Sequence, residues 1–403
     1  MKKKVIFLIR AHNDFDCRLP LIFELEKNSN FEIFVMNYPT NNGYYYMQFH
    51  QLFEKLKLKK IKVISFINET GFLTKFFYNI NFLFQFFFLK KFNFNRSSFF
   101  FNRFFFILDK IVIFLAKSNL TLDKLLYDNS LIVLDEIILS KKRSFFLSKI
   151  YNLKNYSKII SIQTGQDTYL NLKRKLSKTS AIKEEISVNN FFVPSLNDQK
   201  IFKKKGIANK MQVVGNPRFD PNWIKYLNQN CNVNIKKKTK LRCSFLLSKF
   251  EYGIIKEKLI KVINEVSMLN NCEIIIKPHT RGMEMDEIFL KYKNNKSVIN
   301  GTNFSSTEII KWSNLVFFTG SSIIFQALLL NKKCIYLDYV LSCRTIFFQS
   351  DALIQLSNIS ELKEIIKIKK IDKKKVNNFI KKHVFNSKKK NMSINKIIYE
   401  IER

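Results

Sequence analysis

Short apolar runs alternate with longer amphipathic segments through most of the chain. The first run, VIFLI at 5–9, has no polar position, which is typical of a strand buried on both faces of a parallel sheet. Regular alternation of such strands with helices favours βα units and an α/β fold. In the first half we predict strands at 5–9, 32–36, 61–66, 131–134, 159–162, 190–193 and 212–214.

The same alternation restarts in the second half, after a lysine-rich stretch at 232–240. We predict strands at 244–247, 273–276, 298–299, 315–318 and 334–337, and helices at 251–269, 284–292, 321–330 and 359–366. Two Rossmann-like parallel-sheet domains, 1–231 and 241–403, would then be joined by a linker at 232–240, with the last helix placed to cross back. Ligands of open α/β sheets bind at the carboxyl ends of strands, so a central cleft between the two sheets is expected.

One segment departs from this pattern. Residues 72–106 contain 16 phenylalanines in 35 positions, interrupted by Lys90, Lys91, Arg96 and Arg103. Two interpretations stay open for an insertion at about 72–117. It forms buried helices rich in phenylalanine, or it forms an amphipathic hairpin that inserts phenylalanine into a membrane surface and places the cations on anionic headgroups.

The formal net charge of +37 suggests anionic partners. However, lysine is spread through the whole chain, and the abundant Lys, Phe, Ile and Asn all have A/T-rich codons, so mutational drift could produce the charge without any selected partner. No RNA-binding signature accompanies the lysines. We therefore expect no nucleic-acid partner, while anionic surfaces and phosphorylated substrates are still attracted.

Cysteine usage and the apolar runs indicate the compartment. The six cysteines show no CxxC spacing, and three of them flank apolar runs as expected of core residues: Cys243, Cys272 and Cys334. No metal-ligand spacing is present, so no metal and no cofactor are expected. The first apolar run is too short for a signal peptide, and no run of about 18 apolar residues exists. We expect a cytoplasmic protein, peripheral on the inner face of the plasma membrane if the phenylalanine-rich segment binds lipid.

The sharpest candidate site follows the predicted strand 273–276. Three potential cations, Lys277, His279 and Arg281, lie within five residues, and Pro278 fixes the turn between them. Lys and Arg make charge-assisted bonds to phosphate, and His can donate to an oxygen. We predict Lys277 and Arg281 as donor-binding residues and His279 as catalytic; a solvated basic loop is the alternative.

A second candidate site follows the predicted strand 315–318. Glycine permits close approach of a ligand, a serine can cap the next helix, and amides at a helix start attract anions. The predicted donor-binding residues of this turn are Thr319, Gly320, Ser321 and Ser322. We expect it beside the basic loop, on a neighbouring strand; an ordinary strand–helix junction is the alternative. Asp338, after the next strand, could accept from a sugar or ribose hydroxyl or be a surface residue.

Two loops of the first half should face the cleft from the opposite side. After strand 5–9, His12 is a candidate base, oriented by Asp14 or Asp16. After strand 159–162 come candidate substrate contacts, in which glycine would let the backbone approach a ligand. They are Thr164, Gly165 and Gln166. For both loops the alternative is a polar turn with no catalytic task.

The segment GNPRFD at 215–220 closes the first half. Arg218 either contacts a donor phosphate or pairs with Asp220 to hold the hinge, and both interpretations stay open. Absent motifs also narrow the function. No GxGxxG follows the first strand and no GxxxxGK[ST] occurs, which argues against a dehydrogenase and a P-loop ATPase.

These motifs, in this order, resemble those of nucleotide-activated transferases of the GT-B superfamily, in particular CDP-glycerol glycerophosphotransferase-like enzymes of surface-polymer synthesis. VVGNPRFD at 213–220 resembles that family's Gly-x-Pro-Arg-x-Asp segment, IKPH at 276–279 its Lys-Pro-His segment, and TGSS at 319–322, followed by FQALL at 325–329, its Ser-Ser loop and helix. The resemblance covers roughly residues 155–365. It implies a GT-B fold, with His279 and the Ser321–Ser322 loop at the donor's diphosphate.

The chain departs from this family at one important place. The family carries a His-Gly pair with a catalytic histidine where this chain has Thr164 and Gly165. Either His12 takes the role of base or the chemistry differs. A second likeness is to UDP-N-acetylglucosamine 2-epimerase, whose Gly-Asn-Pro segment matches 215–217 and whose Gln-Gly-Asp-Thr is faintly similar to 163–168. That enzyme's cleft carboxylates are not clearly present.

The leading hypothesis is transfer of a glycosyl or glycerol-phosphate unit from a nucleotide-diphosphate donor to a surface-polymer or lipid-linked acceptor. The cations would replace Mg²⁺ on the leaving phosphate, so the reaction would be metal-independent. An epimerase acting on a UDP-sugar and a non-catalytic GT-B binding protein are the alternatives.

Overall fold

The computed structural model describes most of the chain outside the phenylalanine-rich region and a few loops. The described residues are 2–10, 12–37, 50, 52–59, 61–64, 76, 107, 130–135, 157–165, 168–169, 188–204, 211–236, 238–279, 286–292, 294–368, 371–385 and 393–403. The insertion predicted at about 72–117 therefore lies outside them, apart from Phe76 and Ile107. Within the described residues, no helix has the length and apolar character that crossing a bilayer requires.

The first half forms a seven-stranded sheet in the order β3-β2-β1-β4-β5-β6-β7. Every pairing in it is parallel. The strands are β1 Lys3–Ile9, β2 Phe31–Asn37, β3 Lys62–Ile64, β4 Leu131–Leu134, β5 Lys158–Ile162, β6 Asn190–Val193 and β7 Met211–Val213. The apolar run of β1 is fully buried from Val5 to Ile9, as a two-faced parallel strand requires.

The second half forms a six-stranded parallel sheet in the order β10-β9-β8-β11-β12-β13. Its strands are β8 Leu241–Leu246, β9 Cys272–Lys277, β10 Val298–Asn300, β11 Leu315–Phe318, β12 Lys333–Tyr336 and β13 Ile354–Gln355. Cys243, Cys272 and Cys334 are buried on these strands, as their apolar neighbours predicted.

Strand order places one crevice in each sheet. In both, the chain builds outward from the first strand of the half in one direction and then crosses over to build in the other. The direction reverses between β1 and β4 in the first sheet and between β8 and β11 in the second. In open α/β sheets, loops diverge at such a switch point and leave a ligand crevice at the carboxyl ends of the strands.

Helices cover the faces of both sheets. Among the described residues the α-helices are α1 His12–Leu25, α2 Phe53–Leu58, α3 Leu196–Lys204, α4 Pro221–Asn230, α5 Lys256–Ser267, α6 Asp286–Lys291, α7 Ser306–Trp312, α8 Ile324–Leu329, α9 Leu362–Lys367, α10 Lys373–Ile380 and α11 Ser393–Glu402. The helix predicted at 251–269 is divided, because Gly253 adopts φ +85° and ends a short 3-10 turn before α5 begins.

The C-terminal helix α11 packs on the first domain. Its buried residues Ile394, Ile397 and Ile401 belong to the same apolar core as β1, β4 and α1. Two lysines of the first sheet hold its last turn. Lys3 Nζ donates to the Ile401 carbonyl at 2.6 Å, and Lys158 Nζ donates to the Glu400 carbonyl at 2.5 Å. Cations suit a helix C-terminus, where carbonyls lack intrahelical partners.

Candidate functional site

The carboxyl edges of the two sheets meet across the cleft. The loop after β5 extends from the first domain to the turn after β11, where Thr168 Oγ1 donates to the Gly320 carbonyl at 2.5 Å. The Tyr169 hydroxyl donates to Ser248 Oγ, after β8, also at 2.5 Å. Ile346 N–H donates to the Thr168 carbonyl at 2.8 Å. One loop of the first domain therefore lies directly on the switch point of the second.

A network of hydroxyl groups lies at the β8/β11 switch point. Ser248 Oγ and Thr319 Oγ1 are 2.6 Å apart, and Ser248 N–H donates to Thr319 Oγ1 at 2.9 Å. Gly320 N–H donates to Ser248 Oγ at 3.3 Å. Ser248 was not predicted from the sequence. Its only signal is its position after an apolar strand, and the strand order that makes this position a crevice is not visible in the sequence.

The close approach predicted at Gly320 is made by a residue of the protein. A Cβ at this position would lie 2.2 Å from the Tyr169 hydroxyl oxygen, a distance that no side chain tolerates. Gly320 is buried beneath the ring. Burial raises the pKa of the Tyr169 phenol above its ordinary value, so the group stays protonated and donates to Ser248.

The basic loop that begins at Lys277 lies one strand farther from the TGSS turn than predicted. Strand β8 lies between β9 and β11, so Lys277 and Gly320 do not follow neighbouring strands as expected. Lys277 Nζ donates to the carbonyls of Thr302 at 3.0 Å and Phe304 at 2.7 Å, which fixes the loop after β10. Burial lowers the pKa of Lys277 to about 8. His279 is half-buried two residues after β9, and Arg281 lies outside the described residues.

The serines of the TGSS turn do not cap the following helix. Helix α8 begins at Ile324, its N-cap residue is Ile323, and no side chain bonds the cap. Ser321 and Ser322 are half-buried and form a turn, in which their carbonyls accept from the amides of residues 324 and 325. Asp338 is also half-buried at the end of β12, and burial raises the pKa of its carboxyl while the charge of Arg344 opposes the shift.

An ion pair with a shared carboxylate lies at the β1/β4 switch point. Arg10 Nη2 lies 2.6 Å from Asp135 Oδ2, and Thr164 N–H donates to Asp135 Oδ1 at 3.0 Å. Burial raises the pKa of Asp135 to about 7, the charge of Asp14 adds to the shift, and Arg18 and Arg10 oppose it. Asp135 was missed in the sequence, where its only signal is a carboxylate directly after the predicted strand 131–134.

Asp14 and Asp16, the acidic residues predicted to orient His12, bond to other residues in the described part of the structure. Asp14 Oδ2 accepts the Arg10 N–H at 3.0 Å. Asp16 Oδ1 lies 3.2 Å from His50 Nε2, and His50 Nδ1 accepts from Leu52 N–H at 3.2 Å, so Nε2 carries the proton and donates to Asp16. His12 begins α1, but the placement of its side chain lies outside the described part of the structure.

Arg218 pairs with Asp16 and not with Asp220. The Arg218 N–H also donates to Asn216 Oδ1 at 3.1 Å, and Asp220 accepts from Asn222 N–H at 3.0 Å to cap α4. Ser393, at the start of α11, donates to Asp220 at 3.3 Å. The GNPRFD segment is thus a structural junction where the end of the first sheet meets the returning helix.

The guanidinium of Arg18 is fully buried, and within the described part of the chain none of its three nitrogens has a hydrogen-bond partner. It lies one helical turn after Asp14 on α1, near the Arg10–Asp135 pair. Its charge opposes the rise in the pKa of Asp135 without a hydrogen bond to that carboxylate. An arginine within an amphipathic helix gives no sequence signal of this kind.

The predicted substrate loop contributes mainly through its backbone. Thr164 is half-buried and holds Asp135, whereas Gly165 is exposed, and a Cβ added to it would meet no atom within 4 Å. Gln166 lies outside the described residues. In the parts of the chain that the structure describes, no group of three or more His, Cys, Asp or Glu side chains could hold a metal ion.

Comparisons with known proteins show similarity in structure but not in sequence. No family model and no curated protein matches the chain. Among solved structures, a putative UDP-N-acetylglucosamine 2-epimerase from Listeria monocytogenes aligns with a TM-score of 0.56 and 12% identity, over 100% of this chain and 96% of that one. UDP-GlcNAc 2-epimerase from Neisseria meningitidis, bound to UDP-GlcNAc, aligns with a TM-score of 0.55 and 13% identity, over 100% of both chains.

The wall teichoic acid polymerase TagF, in a structure soaked with CDPG, aligns with a TM-score of 0.53 and 12% identity, over 100% of this chain and 88% of that one. Such low identities establish architecture alone. With two parallel sheets that face each other across a cleft, the chain has the GT-B fold predicted from its motifs.

Proposed function

We propose that the protein is an enzyme that transfers a glycosyl or glycerol-phosphate unit from a nucleotide-diphosphate donor to a surface-polysaccharide or polymer acceptor, free or lipid-linked. One observation carries this proposal. The loop after β5 contacts both switch points, because Thr164 N–H donates to Asp135 after β4 and Thr168 Oγ1 donates to the Gly320 carbonyl after β11. A donor in one crevice and an acceptor in the other would then meet at the centre.

The donor's diphosphate is assigned to the second domain. At the β8/β11 crevice the Ser248 hydroxyl lies beside the Gly320 amide, which donates to it at 3.3 Å. His279 would approach from the next strand, and its imidazole can donate to a phosphate oxygen. Lys277 would act mainly by positive charge, because its ammonium hydrogens hold two backbone carbonyls. The assigned nucleotide class is supported by solved neighbours that bind UDP-GlcNAc or CDPG.

The acceptor's base is assigned to Asp135. Thr164 stands where the resembling family has its histidine, and the amide of Thr164 holds the Asp135 carboxylate at 3.0 Å. A carboxyl with a pKa near 7 suits general-base catalysis at neutral pH. Asp135 would take the proton of the acceptor hydroxyl as that oxygen attacks the donor, and the nucleotide's phosphate would leave with the bonding electrons.

Two measurements test this assignment of the base. In the proposed reaction kcat/KM should decrease as the pH falls below about 7, where Asp135 becomes protonated. Asp135→Asn should lower kcat by roughly 100-fold or more while the donor's Kd changes little. Equal activity of Asp135→Asn and wild type would remove Asp135 from the mechanism.

Metal independence is part of the proposal. The positive charge of Lys277 and the imidazole N–H of His279 would take the place of Mg²⁺ on the leaving phosphate. Donor binding should therefore be unchanged by EDTA. A loss of donor binding on chelation, restored by Mg²⁺, would contradict this part.

Binding of a nucleoside diphosphate is the first experiment. The thermal unfolding temperature should rise with at least one of CDP, UDP and GDP. It should rise less with CMP, which lacks the second phosphate. Absence of a shift with all three diphosphates at millimolar concentration would reject a nucleotide-diphosphate enzyme and favour the non-catalytic alternative.

Epimerisation of a UDP-sugar is the second candidate function. It is favoured by the full-length alignment with the UDP-GlcNAc-bound epimerase. Product analysis separates the two reactions. An epimerase forms the 2-epimer from UDP-N-acetylglucosamine with no acceptor present, whereas the proposed transferase forms none and requires an acceptor.

A further inference from the structure

The ring of Tyr169 fills the crevice at the β8/β11 switch point. A Cβ on residue 320 would lie only 2.2 Å from the Tyr169 hydroxyl oxygen. The contact between the tyrosine ring and residue 320 therefore exists only because that residue is glycine. The same hydroxyl lies 2.5 Å from Ser248 Oγ. A residue of the first domain therefore occupies the point at which the second domain offers a serine hydroxyl and a main-chain amide.

Ser248 Oγ is the hydrogen-bonding group that the second domain offers to the phenol. It accepts from the Tyr169 hydroxyl and from Gly320 N–H at 3.3 Å, and it lies 2.6 Å from Thr319 Oγ1. If the phenol leaves, the serine hydroxyl can turn away from Thr319 and donate into the vacated space. A phosphoryl oxygen accepts from such a hydroxyl.

The contacts described for Tyr169 join a short loop of the first domain to the second domain. Its backbone forms an isolated antiparallel bridge with Thr345, and the preceding carbonyl accepts from Ile346 N–H at 2.8 Å. The ring lies against Tyr252 with centroids 5.2 Å apart. Tyr169 is half-buried, whereas Ser248 and Gly320 beneath its hydroxyl are buried, so a ligand reaches them only when the ring moves away.

We propose that in the ligand-free protein the Tyr169 phenol occupies the position at which a phosphoryl oxygen of the donor binds. A nucleoside-diphosphate donor then binds by displacing the phenol. This inference rests on the proposed function. Tyr169 then competes with the donor, and Ser248 is a phosphate-binding residue. Because a protein whose competent state is only partly populated binds with reduced apparent affinity, removal of the competitor strengthens binding.

Titration calorimetry on the full chain tests the exchange, with UDP, CDP and inorganic pyrophosphate as the probes. Tyr169→Ala should bind the preferred probe roughly three- to tenfold more tightly than wild type, because the open state no longer competes with a bonded phenol. Tyr169→Phe keeps the ring and loses only the bond to Ser248, so it should show a smaller gain. Ser248→Ala should bind more weakly, although it too releases the phenol.

Tyr252→Phe is the matched control, because it removes a hydroxyl from the neighbouring ring and leaves Tyr169, Ser248 and Gly320 unchanged. Its affinity for the probe should equal that of wild type. Equal or weaker binding by both Tyr169 variants, in a wild type that does bind, would overturn the inference and make Tyr169 a positioning residue. If Tyr169→Ala unfolds, Tyr169→Phe decides the question alone. If neither wild type nor any variant binds a probe, the proposed function itself fails and takes this inference with it.

Discussion

At the scale of single residues, charged side chains cluster at the β1/β4 switch point of the first sheet. Asp135 and Asp14 share Arg10, with 2.6 Å from Arg10 Nη2 to Asp135 Oδ2 and 3.8 Å from Arg10 Nε to Asp14 Oδ2. The buried Arg18 supplies the second positive charge, with no hydrogen bond from its guanidinium to any residue that the structure describes. Unbonded buried charge costs free energy, so this cluster should be sensitive to pH and to single substitutions.

Asp135 should make the protein less stable as the pH rises toward 7. Its pKa is raised to about 7 in the folded protein, against 3.8 for an ordinary aspartate, so the folded state binds the proton more strongly. The stabilisation is complete below about pH 4 and is lost as the pH rises through 7. Between about pH 4 and 7 the free energy of unfolding should fall more steeply in wild type than in Asp135→Asn, by up to ~1.4 kcal/mol per pH unit. Urea unfolding at four pH values measures it, and parallel curves would contradict it.

Arg18 should matter more at high pH than at low pH. Arg18→Met keeps most of the side-chain volume and removes an unbonded guanidinium, which by itself is favourable. At pH 8 the same change leaves an ionised Asp135 with less neutralising charge. We expect Arg18→Met to be at least as stable as wild type at pH 5.5 and less stable at pH 8. An exposed control, Lys57→Met, should show the same small effect at both, and an equal effect of Arg18→Met at both would reject the account.

At the scale of elements, the GNPRFD junction fixes how the first sheet ends. Gly215 adopts φ +91°, and a Cβ there would lie 3.1 Å from the Val384 carbonyl oxygen and 3.2 Å from Ser393 Cβ. The left-handed backbone and the tight contacts both require glycine. The junction thereby sets the position of the returning helix α11.

Gly215→Ala should destabilise the protein by about 1–3 kcal/mol, because it strains the backbone and presses on both neighbours. Gly165→Ala is the matched control, since Gly165 has open space around it and no positive φ. The control should change stability by less than ~0.5 kcal/mol. Chemical denaturation of both variants makes the comparison, and equal effects would show that the junction is tolerant.

The returning helix should contribute to the stability of the first domain. Ile397 is fully buried in the core shared with β1 and α1, whereas Tyr399, two residues later, is 62% exposed. Ile397→Ala should cost about 2–5 kcal/mol. Tyr399→Ala should cost less than ~0.5 kcal/mol. A similar, small effect of both in urea unfolding would mean that α11 packs loosely.

Element positions follow from local sequence, which is why most strands could be predicted. Apolar runs at 131–134, 190–193 and 315–318 coincide with β4, β6 and β11. Helix starts were less accurate, because the start of α8 depends on a turn with no side-chain cap. The predicted arrangement of loops was wrong where it needed the strand order. Adjacent positions in the sequence gave no sign that β8 separates β9 from β11.

At the scale of the whole molecule, two parallel sheets that share one strand order over six strands face each other across a cleft. The resemblance of three motifs predicted the GT-B fold, and the alignments with solved structures confirm it. Partners across the cleft could not be predicted. The hydrogen bond between Tyr169 and Ser248 joins residues 79 positions apart, and it depends on how the two domains pack against each other.

Hydrogen–deuterium exchange of the full chain, with and without the nucleoside diphosphate that stabilises it most, tests the central claim most directly. A donor held at the second switch point should slow exchange of backbone amides at 246–250 and 319–323, at the ends of β8 and β11. The outer strand β13 should be unaffected. Stabilisation by the nucleotide without protection of these two turns, or with protection confined to other regions, would contradict the account.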